Sequence, residues 1–473
     1  MITNDLECEC LIIGSGPGGA ITASILAEAG CNVLVIEEGR DESGNFLPYS
    51  LQEIDRYRYG GVSVSRGNHR VFYLEGSCLG GASEINAALY HRPPVELINQ
   101  WEKEYCLQDF GTTALEPFFE MNEKELDVKT VPSAVGIGSK IIERGAKNLN
   151  WKITETPRMW DYSGNDPQGQ RRSMSRSFIP KAKAAGAKFI LQTKVRRINF
   201  HSDKAYEALC YSSEGKKLKR IRFKHVFICA GAIQTPLLLL NSGLTHNIGK
   251  RLKIHLSARL VAGFDEIASN PIEGVPVMQV SEFKPRLTLG GSFSSPAFLA
   301  SWLAGRPDFA QIMQSPSKLG IFYASIIAEG HGQVRADPFS NDAILSMNTP
   351  KNDLLSLGDG MYKLGQMLFA AKAKVIYSSM IGAKDFTSLA EMEPMREDVL
   401  SYGVDLSTMH LFASCPMGEN LSRCALNSFG RVHGKSNIYV NDASMLPDAP
   451  GTNPQALIMA LARRNAMYWL KHL

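Results

Sequence analysis

The chain is predicted to be an α/β protein. A Rossmann-like dinucleotide-binding domain carries a β-meander and is joined to an α+β part with an antiparallel sheet and helices. Three observations predict this. Cys10 to Gly39 reads as strand, glycine turn, helix and strand. Lys188 to Cys229 reads as short alternating strands that end on a fully apolar one. From Arg251 to Glu329 strand-like runs return around an apolar, partly helical stretch at Ala297 to Met313.

In the first segment the apolar run Leu11, Ile12, Ile13 enters a turn of Gly14, Ser15, Gly16, Pro17, Gly18 and Gly19. An amphipathic helix follows to Ala29, Gly30 stops it, and Val33 to Ile36 forms the second strand, ending on Glu37 and Glu38. Gly14 allows the tight turn, Gly16 admits a pyrophosphate to the backbone, and Gly19 lets the helix lie close on the strand. The phosphates then face the positive helix N-terminus. Glu37, 23 residues after Gly14, is placed to take the two ribose hydroxyls.

Composition excludes several classes. With 473 residues, 44% hydrophobic and 21% charged, the chain can bury large cores in two or three domains. A net charge of +4 is small for this length, and the basic stretch Lys216 to Lys224 alternates Leu, Ile and Phe with its charges. It therefore reads as a solvated strand face, and no nucleic-acid partner is expected. Nine cysteines contain no CxxC and no metal set, which points to free thiols, no metal and a reducing compartment. MITNDLECEC has neither a basic n-region nor a long apolar segment, so a cytoplasmic location without a membrane span is expected.

Between these landmarks, Arg40 to His69 reads as irregular connection. Tyr73 to Pro94 is a second glycine-containing loop (Gly76, Gly80, Gly81) with Ser83, Asn86, Ala87, Ala88 and Leu89, folded against a large ligand. Pro93 and Pro94 open a helix bearing Leu97, Trp101 and Tyr105, with Trp101 assigned to the core. Thr113 is the expected N-cap of a helix over Leu115 to Leu126, and a second helix covers Ser139 to Leu149. Trp151 to Arg176 is irregular, either lining a pocket or running over the surface. The meander turns at His201 to Asp203 and Ser212 to Gly215. It ends at Ala230 and Gly231, before a helix that Pro236 is expected to start and Gly243 to end. The stripe Phe298, Leu299, Trp302, Leu303 reads as core rather than an entrance for greasy substrates. Gly358 to Ala373 reads as a helix with Met361, Leu364, Met367, Leu368 and Ala371 on one face. Near the end, Asn453 and Pro454 suit the N-cap and first position of a last helix.

Four separated segments together resemble the glucose-methanol-choline (GMC) family of FAD-dependent oxidoreductases. They are GSGPGG with Glu37; GSCLGGASEINAALYHRPP; GAIQTPLLLLNSG; and NDASMLPDAPGTNPQALIMALARR. They cover about a third of the chain. The resemblance implies an FAD-binding domain assembled from residues 1–92, 186–250 and 415–473, and a substrate-binding domain from 93–185 and 251–414. It also implies backbone contact from Val195 to adenine and a role for Asp442, beside Ala443, at the ribityl or pyrophosphate region. Family members often attach FAD through a histidine next to the asparagine of the second segment. Here that neighbour is Ile85, so FAD is expected to be non-covalent.

The resemblance further implies oxidation of an alcohol to an aldehyde or ketone. His410, just before SCPMG, takes the hydroxyl proton, and the hydride passes to the flavin. Asn453, at a position where the family has histidine or asparagine, is either a helix cap or a donor to the substrate oxygen, and substrate contact is favoured. His255 is placed either near the domain junction or, by preference, in a surface or structural role. HLFASCPMG together with GTNPQ looks closest to long-chain alcohol oxidases; a sugar, aminosugar or polyol substrate, or a redox-neutral or light-driven lyase or decarboxylase, is the alternative. The electron acceptor is oxygen or quinone-like, and the oligomeric state is left open.

Overall fold

The computed structural model describes residues 6–42, 44, 51–132, 135–164, 169–212, 217–340, 342–378, 384–400 and 405–473. A seven-stranded sheet is built on the first segment. Leu6–Ile13 lies between Val33–Ile36 and Lys217–Ile228, parallel to both. The meander Thr193–His201, Lys204–Ser212 and Lys217–Ile228 extends the sheet on one side, and Lys188–Ile190 closes it beyond Val33–Ile36. The basic stretch and most of the apolar run that ends the meander form one strand of 12 residues, Lys217–Ile228. Its first half pairs with the meander. Its second half, Val226 to Ile228, pairs in parallel with Ile438–Val440 from the far end of the chain. The alternation read in the basic stretch holds: Ile221 and Phe223 are buried while Arg222 and Lys224 are exposed. The turn expected after Ser212 lies outside the described residues.

The helix Pro17–Glu28 buries nine of its 12 residues, because it is packed between this sheet and the last helix, Gln455–Lys471. Apolar side chains all around a helix require such two-sided cover. The helix Gly231–Asn241 begins five residues before Pro236 instead of at it. Pro236 has no N–H to give the carbonyl of Ala232. Ser414 Oγ supplies the missing donor at 2.6 Å, from the segment after His410. Removing it by Ser414→Ala leaves a buried carbonyl short of a partner, with an expected loss of about 1–3 kcal/mol. Urea unfolding measures this, and an unchanged midpoint would refute it.

The second sheet has ten strands, centred on Lys253–Gly263 paired antiparallel with Leu319–Ile327. One face of this pair (Leu256, Ala258, Leu260, Ala324) is buried in a common core with Leu357, Met361, Leu364 and Leu368 of the helix Lys351–Ala370. That helix starts seven residues before the expected Gly358, because Leu354 and Leu357 continue its buried stripe backwards. Gly358 sits mid-helix since a Cβ there would meet the Arg396 carbonyl at 2.6 Å. Strands Ser63–Val64 and Val71–Tyr73 also join this second sheet, although they precede residue 92.

Two more expectations shift. Gly111, not Thr113, caps Thr112–Leu126, and the next helix is Ile137–Asn148. In Thr112–Leu126 no side chain makes a capping bond, so the polar residue at 113 gave no true signal. The stripe near Phe298 divides: Leu299 and Leu303 are core, whereas Phe298 and Trp302 line the main cavity. Trp101 is buried as expected. Among its described residues the stretch 151–176 contributes none to the lining of the main cavity, and its first strand, Ile153–Glu155, pairs with Met278–Val280 at the edge of the second sheet.

Candidate active site

A cavity of about 940 Å³ lies between the two sheets and is lined by residues from both. On the first sheet's side the glycine turn forms its wall. Gly14 has φ +98, and a Cβ there would run into the backbone carbonyl of Cys229 at the end of the neighbouring strand. Gly16 differs: a Cβ there would meet nothing within 4 Å, so its backbone opens onto the cavity at the N-terminus of Pro17–Glu28, which no side chain caps. The N–H and hydroxyl of Ser15 both donate to Glu37 Oε2, at 2.9 and 2.7 Å, and the Gly39 N–H donates to Oε1 at 2.8 Å. Glu37 is thereby fixed beside the turn, and burial pushes its carboxyl up despite those donors. Burial also pushes Glu38 up, but Arg58 at 2.9 Å and Lys194 at 3.1 Å outweigh it and hold its carboxyl below the usual range.

The second glycine loop folds onto the first. The Gly80 N–H donates to Ser15 Oγ at 3.0 Å, and the chain at Gly81 passes against Gly16. Asn86 accepts from the Ala88 N–H at 2.9 Å and donates to Gln455 Oε1, tying this loop to the start of the last helix. Val195 lies on the edge strand of the first sheet at a β-bulge, where it lines the cavity.

The second sheet presents its other face to the same cavity. Along Lys253–Gly263 the residues His255, Ser257 and Arg259 alternate with buried Leu256, Ala258 and Leu260, and Tyr323 and Ser325 stand opposite on Leu319–Ile327. Ser257 Oγ donates to Ser325 Oγ at 2.8 Å, and Gln279 Nε2 donates to Tyr323 OH at 3.0 Å. Phe293, Phe298 and Trp302 add apolar surface.

His410 joins this face. Its Nδ1 lies 3.0 Å from Nδ1 of His255, whose Nε2 accepts from the Gly451 N–H at 3.1 Å. The backbone N–H of His410 donates to Thr408 Oγ1 at 3.1 Å, which in turn donates to the His410 carbonyl at 2.9 Å. His91 completes a cluster of three histidines, with Nε2 3.0 Å from Gln279 Oε1. Burial lowers His410 to about 4 and His91 to about 3, and holds His255 well below the ordinary range with the other two adding to it. The folded protein thus keeps these rings neutral, while the unfolded chain protonates them near 6.5. From that value down to about 4 the unfolded chain binds more protons, so stability falls with falling pH. The urea midpoint is expected to drop between about pH 7 and about pH 5; a constant midpoint would contradict it.

Of the residues singled out from the sequence, Ser15, Gly16, Pro17, Gly18, Glu37, Glu38, Gly81, Asn86, Ala87, Ala88, Leu89, Val195, Ala230, Gly231, Asp442, Ala443, Asn453, Pro454 and His410 line the cavity, with Gly14. Gly19, Gly80 and Ser83 stand behind the wall; Ser83 donates to the Gly80 carbonyl at 2.7 Å and accepts from the Met174 N–H at 3.0 Å. The carboxylate of Asp442 accepts from Gly231 N–H (2.8 Å), Thr235 Oγ1, Ser444 N–H (2.8 Å) and Ser444 Oγ. It ties the start of the helix Gly231–Asn241 to the segment 442–444. Pro454 occupies the N-cap and Gln455 begins the last helix, one residue later than expected, so Asn453 is not the cap.

The surface reading of His255 is corrected: it is 5% exposed, in the cavity between the two sheets, and bonded to His410. Its signal was the polar stripe at positions 255, 257 and 259 of an otherwise apolar strand. His91, Gln279, Lys284 and Tyr323 also line the cavity, and nothing in their local sequence distinguished them. Among the described residues no group of three or more His, Cys, Asp or Glu is placed to hold a metal ion, and no helix is long and apolar enough to cross a membrane.

The GMC oxidoreductase profiles match residues 18–257 and 329–462. The chain belongs to the GMC oxidoreductase family. An uncharacterized GMC-type oxidoreductase of Sinorhizobium fredii is 35% identical over 99% of this chain and 95% of its own length. The long-chain-alcohol oxidase FAO3 of Arabidopsis thaliana is 25% identical over 97% of this chain and 67% of its own. Among solved GMC-like folds, a formate oxidase of Aspergillus oryzae superposes with a TM-score of 0.78 at 15% identity, covering 99% of each chain. The residues present fit the cofactor of the GMC flavoproteins: the open backbone at Gly16, the uncapped helix N-terminus and Glu37 form a cradle for a dinucleotide.

Proposed function

We propose that this GMC oxidoreductase uses FAD to oxidise the CH–OH group of a small-molecule alcohol to an aldehyde or ketone, passing the electrons to oxygen or a quinone-like compound. The single observation that carries the proposal is that His410 and Asn453 line the same cavity as the glycine turn, about 400 positions upstream. FAD, when bound, supplies the acceptor for the hydride. The turn from Gly14 to Gly19 and Glu37 would hold its adenosine and pyrophosphate half, and Ala87 to Leu89 with Ala230 and Gly231 would shape the rest of its bed. His410 handles the hydroxyl proton, and the Asn453 amide donates to the oxygen as negative charge develops on it. The N-terminus of the last helix adds about half a positive charge beside Asn453.

Similarity to a long-chain-alcohol oxidase supports an alcohol as substrate. The polar sheet face of Ser257, Ser325, Gln279 and Arg259 favours a second version, in which the oxidised hydroxyl belongs to a sugar, aminosugar or polyol. Anaerobic mixing with aliphatic, aromatic and sugar alcohols tests both: one class should bleach the flavin absorbance. If none does, the proposal fails, and a redox-neutral or light-driven reaction takes its place.

The cofactor is proposed to be dissociable. Ile85 stands next to Asn86, is 4% exposed and offers no nucleophilic atom to the cavity it lines. Acid precipitation should leave the yellow chromophore in the supernatant; a yellow pellet would overturn this. Nine free cysteines suit a reducing, cytoplasmic setting, which is part of the proposal.

A further inference from the structure

Two hydrogen bonds share His255, and together they decide where the protons of the histidine pair sit. The Gly451 N–H donates to His255 Nε2 at 3.1 Å, so that nitrogen carries a lone pair. His255 is buried and neutral, which puts its single proton on Nδ1. That nitrogen is 3.0 Å from Nδ1 of His410, which therefore accepts. A neutral imidazole has one donor and one acceptor, so His410 carries its own proton on Nε2.

We infer that His255 is a positioning residue that keeps the proton of resting His410 on Nε2, so that His410 meets the substrate oxygen as a hydrogen-bond donor. Nε2 becomes free to accept a proton only when the pair reverses. In the reversed pair His410 Nδ1–H donates to His255 Nδ1, and the His255 proton sits on Nε2. The change gives the His410 Nε2 proton to cavity water and takes one from it at His255 Nε2, so the pair holds two protons in both arrangements. The reversed one sets His255 Nε2–H against the Gly451 N–H, donor against donor, so the Gly451 bond must open. Gly451 lies two residues before Asn453 in the same loop. The loop that places the amide thus also sets the direction of the histidine pair.

The inference rests on the proposed alcohol chemistry for the identity of the oxygen, but not for the position of the protons. Histidine-labelled holoenzyme, with ¹⁵N at both ring positions, tests it by NMR, and the His410 signals are assigned by their loss in His410→Gln. The expected spectrum has a pyrrole-type Nε2 and a pyridine-type Nδ1. In His255→Gln the amide can turn either its oxygen or its NH₂ to His410, so the tautomers should mix while FAD stays bound. A pyridine-type Nε2 in the unaltered holoenzyme would overturn the inference, as would an unchanged tautomer in His255→Gln. Should that variant fail to fold, the unaltered enzyme's spectrum alone decides. Absence of bleaching by any alcohol, with a pyrrole-type Nε2, would remove the alcohol proposal and leave the proton placement standing.

Discussion

His410→Ala is expected to lower kcat by about 10²-fold or more, the usual cost of losing a group that handles the substrate proton. FAD should remain bound. The contacts of His410 run to His255 and Thr408 on the second sheet, whereas the glycine turn, Glu37 and the second loop bond among themselves. Removing the imidazole also frees the Nδ1–H of buried His255, so some loss of stability accompanies the loss of rate. Steady-state turnover with the alcohol that bleaches the flavin, corrected for flavin content, measures the effect. Near-normal turnover would take His410 out of the mechanism.

Gly14→Ala is expected to destabilise the fold by about 3 kcal/mol or more and to yield protein without flavin. Two costs add: a side chain at φ +98, and a Cβ forced into the Cys229 carbonyl at the end of a central strand. Neither can relax without parting Leu6–Ile13 from Lys217–Ile228. Gly16→Ala is the informative control. Its φ of −63 suits alanine, and no protein atom lies within 4 Å of the new Cβ. That variant should keep its thermal midpoint and lose affinity for FAD, because the methyl group occupies space meant for the ligand. A yellow Gly14→Ala protein with the parental midpoint, or a Gly16→Ala protein with parental FAD affinity, would show that the turn does not serve as described.

How far the sequence carried these conclusions depended on the range of the interaction. The strand–turn–helix–strand unit was readable because its signals are local: apolar runs, glycines and an acid within 30 positions. Trp101 and the stripe from Met361 to Ala371 were readable for the same reason. Pro236 misleads because the carbonyl it leaves without a donor, that of Ala232, is served by Ser414, 182 positions away along the chain, which no local rule can see. Gly358 reads as a boundary because a glycine that makes room for another segment looks the same in sequence as one at the end of a helix. His410 and Asn453 are legible through resemblance; His255, the partner of His410, needs the strand alternation to be read as a functional face. Glu37 and Asp442 show the reverse limit. Both read as ligand-binding residues and both line the cavity, and each is also held by donors of the protein itself, which the sequence does not show.

The pairing of Val226 to Ile228 with Ile438–Val440 bears on the order in which the molecule can be made. During synthesis the half-strand at 226–228 exists long before its neighbour, and for some 200 residues of chain growth it has an apolar, unpaired edge. Ser414 and the segment around Asp442 arrive equally late, so the Gly231–Asn241 helix and the flavin bed are completed only when the last residues dock. A ribosome-bound chain stalled before residue 438 is therefore a sticky, cofactor-free species, and chaperone demand should be greatest in that interval.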